Sequence, residues 1–146
     1  MFRSVANVHH FVYNLIIIGA AFVLFLIGST FLHELSHYVA ARLAGFKIVD
    51  YQLWTIPFKR RGYVDVFISR HTEKLMLKKG FMHGSGLMVH LIILIIALFA
   101  AYHSSVSWGR AGWLTGAFVN AYLFLLNLIP EESDGRKLIA LFKARA

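Results

Sequence analysis

The chain has 146 residues, 58% of them hydrophobic and 15% charged, with a mean hydropathy of +0.63. A water-soluble domain this small could not hide so much apolar surface, so the expected solvent is lipid, and the length allows one domain at most. No cysteine is present, which excludes disulfides and thiolate metal ligands, and the net charge of +8 reads as the basic flanks of membrane segments rather than as a nucleic-acid surface.

Residues 1–10 are short and polar, with His9, His10 and the single basic Arg3. Phe11 to Leu32 is a run of 22 residues without a charge. As a helix it would be about 33 Å long, enough to cross a bilayer core. A secretory signal would have a shorter apolar region followed by small residues. Here the run passes into His33–His37 and on to Ala44 before Gly45 supplies a stop, so one helix is expected over about 11–44.

Residues 46–68 change character. Phe46–Pro57 and Tyr63–Ile68 are rich in β-branched and aromatic residues, with Lys59-Arg60-Arg61-Gly62 as a turn between them. This pattern predicts a β-hairpin, which two strands cannot sustain in water without support from the membrane or the helices. Its free edges could pair with an extended peptide. Residues 69–82 read as an interfacial segment, with a short helix over Ser69–Lys79 carrying Leu75, Met76 and Leu77 among lysines. A second span is expected over about 83–102, containing His90, and a third over about 110–130, containing Asn120 and Asn127. The tail, 131–146, opens with Glu131-Glu132-Ser133-Asp134-Gly135 and continues as a basic, helical stretch to Ala146. The expected fold is a mainly α membrane protein: three transmembrane helices with a small β-hairpin between the first two.

Basic residues set the orientation. The 42–79 connection carries nine, at 42, 47, 59, 60, 61, 70, 74, 78 and 79; the tail carries four, and the N-terminus and the 103–110 loop one each. The positive-inside rule then places the N-terminus outside and the connection and tail in the cytoplasm of what is expected to be a prokaryotic cell membrane. The end of span one and the start of the tail arrive at the same depth.

His33-Glu34-Leu35-Ser36-His37 puts two imidazoles one helical turn apart on one face, with a carboxylate beside them. Ionisable groups inside a membrane segment need partners, and His-Glu-x-x-His on a helix is the arrangement of zinc hydrolases. A catalytic zinc takes three protein ligands and keeps a position for water. His33 and His37 are two. The acids at a matching depth are Glu131, Glu132 and Asp134; Asp134 is the expected third ligand, with the two glutamates as alternatives. Glu34 is the expected general base, taking a proton from water and passing it to the leaving amine. His9, His10, His71, His83 and His103 read as lone interfacial histidines, and Asn14 and Asn120 as helix-bridging residues.

With Asn127-Leu128-Ile129-Pro130 and Asp134-Gly135 at the end of the third span, and Gly86-Leu87-Met88-Val89-His90-Leu91 opening the second, the chain resembles the site-2 protease family of intramembrane zinc metalloproteases. The likeness covers most of residues 25–140 and corresponds to a minimal three-helix core. It implies cleavage of a transmembrane or membrane-bound peptide, one Zn2+ on His33, His37 and Asp134, and catalysis by Glu34. It also implies that Asn127 steadies the substrate carbonyl and that the hairpin docks the substrate. His90 stands where the family has Asn, which makes it a candidate site residue with Glu34 and Asn127, its hydrogen-bonding role either kept or changed; Leu87 stands where the family has Pro, and the Asn127–Asp134 spacing is one residue shorter than the family's. Readings from other classes are a metal-binding channel or carrier and an inactive peptide-binding relative. A regulatory membrane partner or oligomer is compatible with each.

Overall fold

The computed structural model describes residues 2–54, 62–69 and 74–143, with side chains from residue 11 onward. The order is α1 (Phe2–Leu43), β1 (Lys47–Gln52), β2 (Tyr63–Phe67), α2 (Leu75–His103), α3 (Ser107–Leu128) and α4 (Asp134–Lys143). The described chain is mainly helical. Phe11–Leu43, Leu75–His103 and Ser107–Leu128 are each long and apolar enough to cross a membrane, with mean hydropathies of 2.6, 2.4 and 1.3 in their most apolar stretches. Side chains such as Phe11, Ile16, Leu24, Ile95, Phe99 and Phe118 are exposed along them. Surface of that kind, outside a core this small, suits an integral membrane protein, in which lipid covers it.

Helix α1 starts at Phe2, earlier than the apolar run required. No proline or glycine lies in 2–10, and extending an existing helix adds a hydrogen bond for each residue fixed. At the other end Gly45 adopts φ +76°. Gly45 N–H donates to Arg42 O and Phe46 N–H to Ala41 O, both at 3.0 Å, the paired bonds of a Schellman C-cap. The predicted stop is therefore a turn that throws the chain back toward the bundle.

Strands β1 and β2 form the expected antiparallel pair, with an irregularity between Ile48 and Asp50. The predicted turn, Lys59-Arg60-Arg61, lies outside the described residues, as does His71; the side chains of His9 and His10 are likewise not described. The hairpin leans on the helices: Phe46 joins Ala41 and Met82 in a buried cluster, and Ile48, Val64, Val66, Ile68 and Leu75 pack against it. Burying a side chain of Phe46's size stabilises by about 1.5–3 kcal/mol, which two strands could not supply alone.

The separate interfacial segment expected over 69–82 is not what the described residues form. Helix α2 begins at Leu75 and runs unbroken to His103, through Gly80, Gly84 and Gly86. Glycine in a helix costs only about 1 kcal/mol and, unlike proline, breaks no hydrogen bond, so packing overrides it. Lys74 sits in the left-handed region at φ 54° just before the first turn. The third span is α3, Ser107–Leu128, and the helical part of the tail is α4.

Candidate metal centre

Three elements build the centre. Helix α1 presents His33 and His37 one turn apart, both buried. Helix α3 ends at Leu128, and the chain reverses within Ile129–Ser133. Ser133 N–H donates to Pro130 O at 3.0 Å and the Arg136 guanidinium to Ile129 O at 3.0 Å, tying the reversal. Gly135 permits it: a Cβ there would stand 2.5 Å from Leu128 O and 2.7 Å from its Cα. The first residue of α4, Asp134, is thereby aimed back at α1.

His33 Nε2 lies 3.2 Å and His37 Nε2 2.9 Å from Asp134 Oδ2, and the two imidazole nitrogens are 3.0 Å apart. The three residues form the one group among those described that could hold a metal ion. Glu131 and Glu132 are exposed and do not join it. His37 Nδ1 is 2.7 Å from Met82 O. A carbonyl can only accept, so Nδ1 carries the proton and the Nε2 of a neutral His37 is bare. That bare nitrogen faces a carboxylate oxygen. Two lone pairs at 2.9 Å repel unless a cation stands with them. A proton relieves one such contact, and a divalent ion shared by three atoms relieves all of them. Zinc with ligands at about 2.0–2.2 Å in tetrahedral geometry separates them by a little over about 3 Å, so the donor set and its spacing fit.

Two features shape the cradle. A Cβ on Gly86 would stand 2.5 Å from His33 Cε1 and 2.7 Å from His37 Nε2, so α2 approaches the imidazoles as closely as it does only because position 86 is glycine. His83, expected to be a lone interfacial histidine, instead places Nδ1 2.9 Å from Asp134 Oδ1. The signal that could have found it is its position three residues before Gly86, one turn away on the same helix. Burial works to raise the pKa of Asp134, but its contacts with the His33, His37 and His83 imidazoles outweigh it and hold the carboxyl well below the usual carboxylate range. His33 Nδ1 is buried without a hydrogen-bond partner.

Glu34, next to His33, is half-buried in a cleft of about 830 Å³ that also takes in His33, His37 and Asp134. Its carboxyl lies against Gly62, where a Cβ would overlap it, so the hairpin forms one wall of the cleft. Asn127 and Lys137 also line it. His90 is fully buried between helices, stacked on His33 with ring centroids 4.9 Å apart and planes at 26°. Asn120, expected to bridge helices, does so by holding His90 at 3.2 Å.

Comparisons with protein-family models, with curated proteins and with solved structures each returned no match.

Proposed function

We propose that the chain is an intramembrane zinc metalloprotease of the site-2 protease kind, hydrolysing peptide bonds of transmembrane or membrane-associated peptides near the cytoplasmic leaflet. The observation that carries this reading is the convergence of His33, His37 and Asp134, 97 residues apart at the extremes of one contact, with a bare His37 nitrogen turned on the carboxylate. Two histidines and a carboxylate are a donor set of catalytic zinc. Bound there, zinc would supply Lewis acidity, polarising a peptide carbonyl and lowering the pKa of a water toward about 7.

The chain's own residues do the rest. Glu34 stands beside the triad and outside it, in the cleft. It takes one proton from a water as the oxygen bonds to the peptide carbonyl carbon. It then delivers that proton to the amine nitrogen as the C–N bond breaks, leaving an acid and an amine. A peptide inside an intact helix shields its carbonyls with its own hydrogen bonds, so the substrate must be extended locally. The β2 edge, which borders the cleft from Gly62 to Asp65, suits such a segment by strand addition. The basic residues of the 42–79 connection and the tail put this end of the bundle on the cytoplasmic side.

The test is reconstitution with single-span peptides that carry helix-breaking residues near the cytoplasmic end. The expected result is cleavage by the zinc-loaded protein and none by Glu34→Gln with its zinc retained. Equal cleavage by both would end the proposal. Zinc flux into the vesicles, independent of Glu34 and without cleavage, would favour a metal carrier.

A further inference from the structure

Beside the triad lies a polar chain that zinc ligation leaves unused: the buried Asn120 and His90 and the part-buried Asn127, linking α2 to α3. Its hydrogens can be assigned from both ends, because each end is a backbone carbonyl, which can only accept. At one end Asn120 Nδ2 donates to Gly116 O at 3.0 Å. Asn120 Oδ1 is therefore the atom that faces His90 Nδ1 at 3.2 Å, and Nδ1 must carry the proton. A neutral His90 then has a bare Nε2. At the other end Asn127 Nδ2 donates to Leu123 O at 2.9 Å, which fixes the orientation of that amide as well. The same Nδ2 turns its second hydrogen toward His90 Nε2, at 3.5 Å. The two independent assignments meet at His90 and agree on a single tautomer. The opposite tautomer would set lone pair against lone pair at Asn120 and hydrogen against hydrogen at Asn127.

Both N–H groups of Asn127 are thus engaged inside the bundle, and Oδ1 is the polar atom it has left for the cleft, whose wall it lines. We propose that His90 locks the Asn127 amide with its oxygen available to the cleft, so that Asn127 accepts a hydrogen bond from a backbone N–H of the bound peptide; this rests on the protease reading. The polarity is opposite to the one implied by the family resemblance, where the asparagine steadies a substrate carbonyl. Leu123 O sets this polarity and the histidine secures it. A side-chain amide at position 90 could turn either its N–H or its C=O toward Asn127. An imidazole held at Nδ1 by Asn120 offers only a lone pair.

Two measurements on the full chain in detergent micelles test this. The first is 15N NMR of histidine-labelled protein, with His90→Phe to identify the resonances. The expected tautomer has Nδ1 protonated and Nε2 bare, and a protonated Nε2 would overturn the assignment. The second uses a peptidyl hydroxamate and analogues in which each backbone amide in turn becomes an ester, which removes one N–H. One analogue should bind roughly tenfold more weakly than its parent, and that penalty should vanish in Asn127→Ala. Ester penalties that are identical in wild type and Asn127→Ala at every position overturn the inference while leaving the protease reading intact. A hydroxamate that fails to bind the zinc-loaded wild type removes the protease reading, and the inference with it.

Discussion

His83 Nδ1 lies 2.9 Å from Asp134 Oδ1, while both α1 imidazoles address the other oxygen, Oδ2. One carboxylate is thus divided between a helix that orients it and a helix that uses it. Outer partners of this kind fix the direction of a metal ligand, and their loss typically costs about 10–100-fold in metal affinity. His83→Ala is expected to weaken zinc binding by about that factor, and His83→Gln, which can still donate to Oδ1, to recover part of it. Competition against a fluorescent zinc chelator would read both. Unchanged affinity in His83→Ala would remove the orienting role.

The third ligand can be separated from its neighbours by zinc content alone. Asp134→Ala should strip the metal from the purified protein, whereas Glu131→Ala and Glu132→Ala should keep it. Both glutamates are exposed and stand outside the group that closes on His33 and His37. Loss of zinc from Glu132→Ala with retention in Asp134→Ala would reverse the assignment.

Gly86 makes a sharper demand than its place in a helix suggests. A methyl group there would overlap His33 Cε1 and both Cε1 and Nε2 of the His37 ring. In a soluble helix Gly→Ala would add about 1 kcal/mol of helix propensity. Here overpacking of about 1–3 kcal/mol is expected to outweigh it. Gly86→Ala should therefore retain its far-UV helical signal, bind zinc poorly and unfold more readily in denaturing detergent.

Asn120 holds His90 in a part of the bundle without solvent. Asn120→Leu would leave the His90 Nδ1–H unpaired and should destabilise the protein by about 1–3 kcal/mol, measured by unfolding in mixed micelles. The control is Thr115→Ala, which removes a bond within α3 and should change stability by less.

Much of this molecule follows from local pattern. Uncharged runs of sufficient length specify three helices whatever packs beside them, and Gly45 stops the first because only glycine takes φ +76° without strain. The two imidazoles of the His-Glu-x-x-His stretch share a face because helical geometry places residues i and i+4 together. The β-branched and aromatic runs on either side of Gly62 specify strands, though not what they rest on. Local pattern also misled in one place: the lysines of 74–79 read as a separate surface helix, yet the chain continues straight from Leu75 into the second span.

Distance along the chain hides the remainder. Choosing Asp134 over Glu131 and Glu132 depends on a five-residue reversal and on Gly135 lying against the backbone of Leu128, and neither is a periodicity. His83 looks like an isolated histidine in the sequence, and His90 stands out there only through the family resemblance. Their partners lie 51 and 30 residues away, on other helices, and only packing brings them together. The sequence alone determined the helices and the pair of histidines at one turn's spacing, because those depend on short-range geometry. The tertiary structure decided which acid meets that pair, what orients it and what the cleft is lined with, because those are contacts between elements that no local repeat encodes.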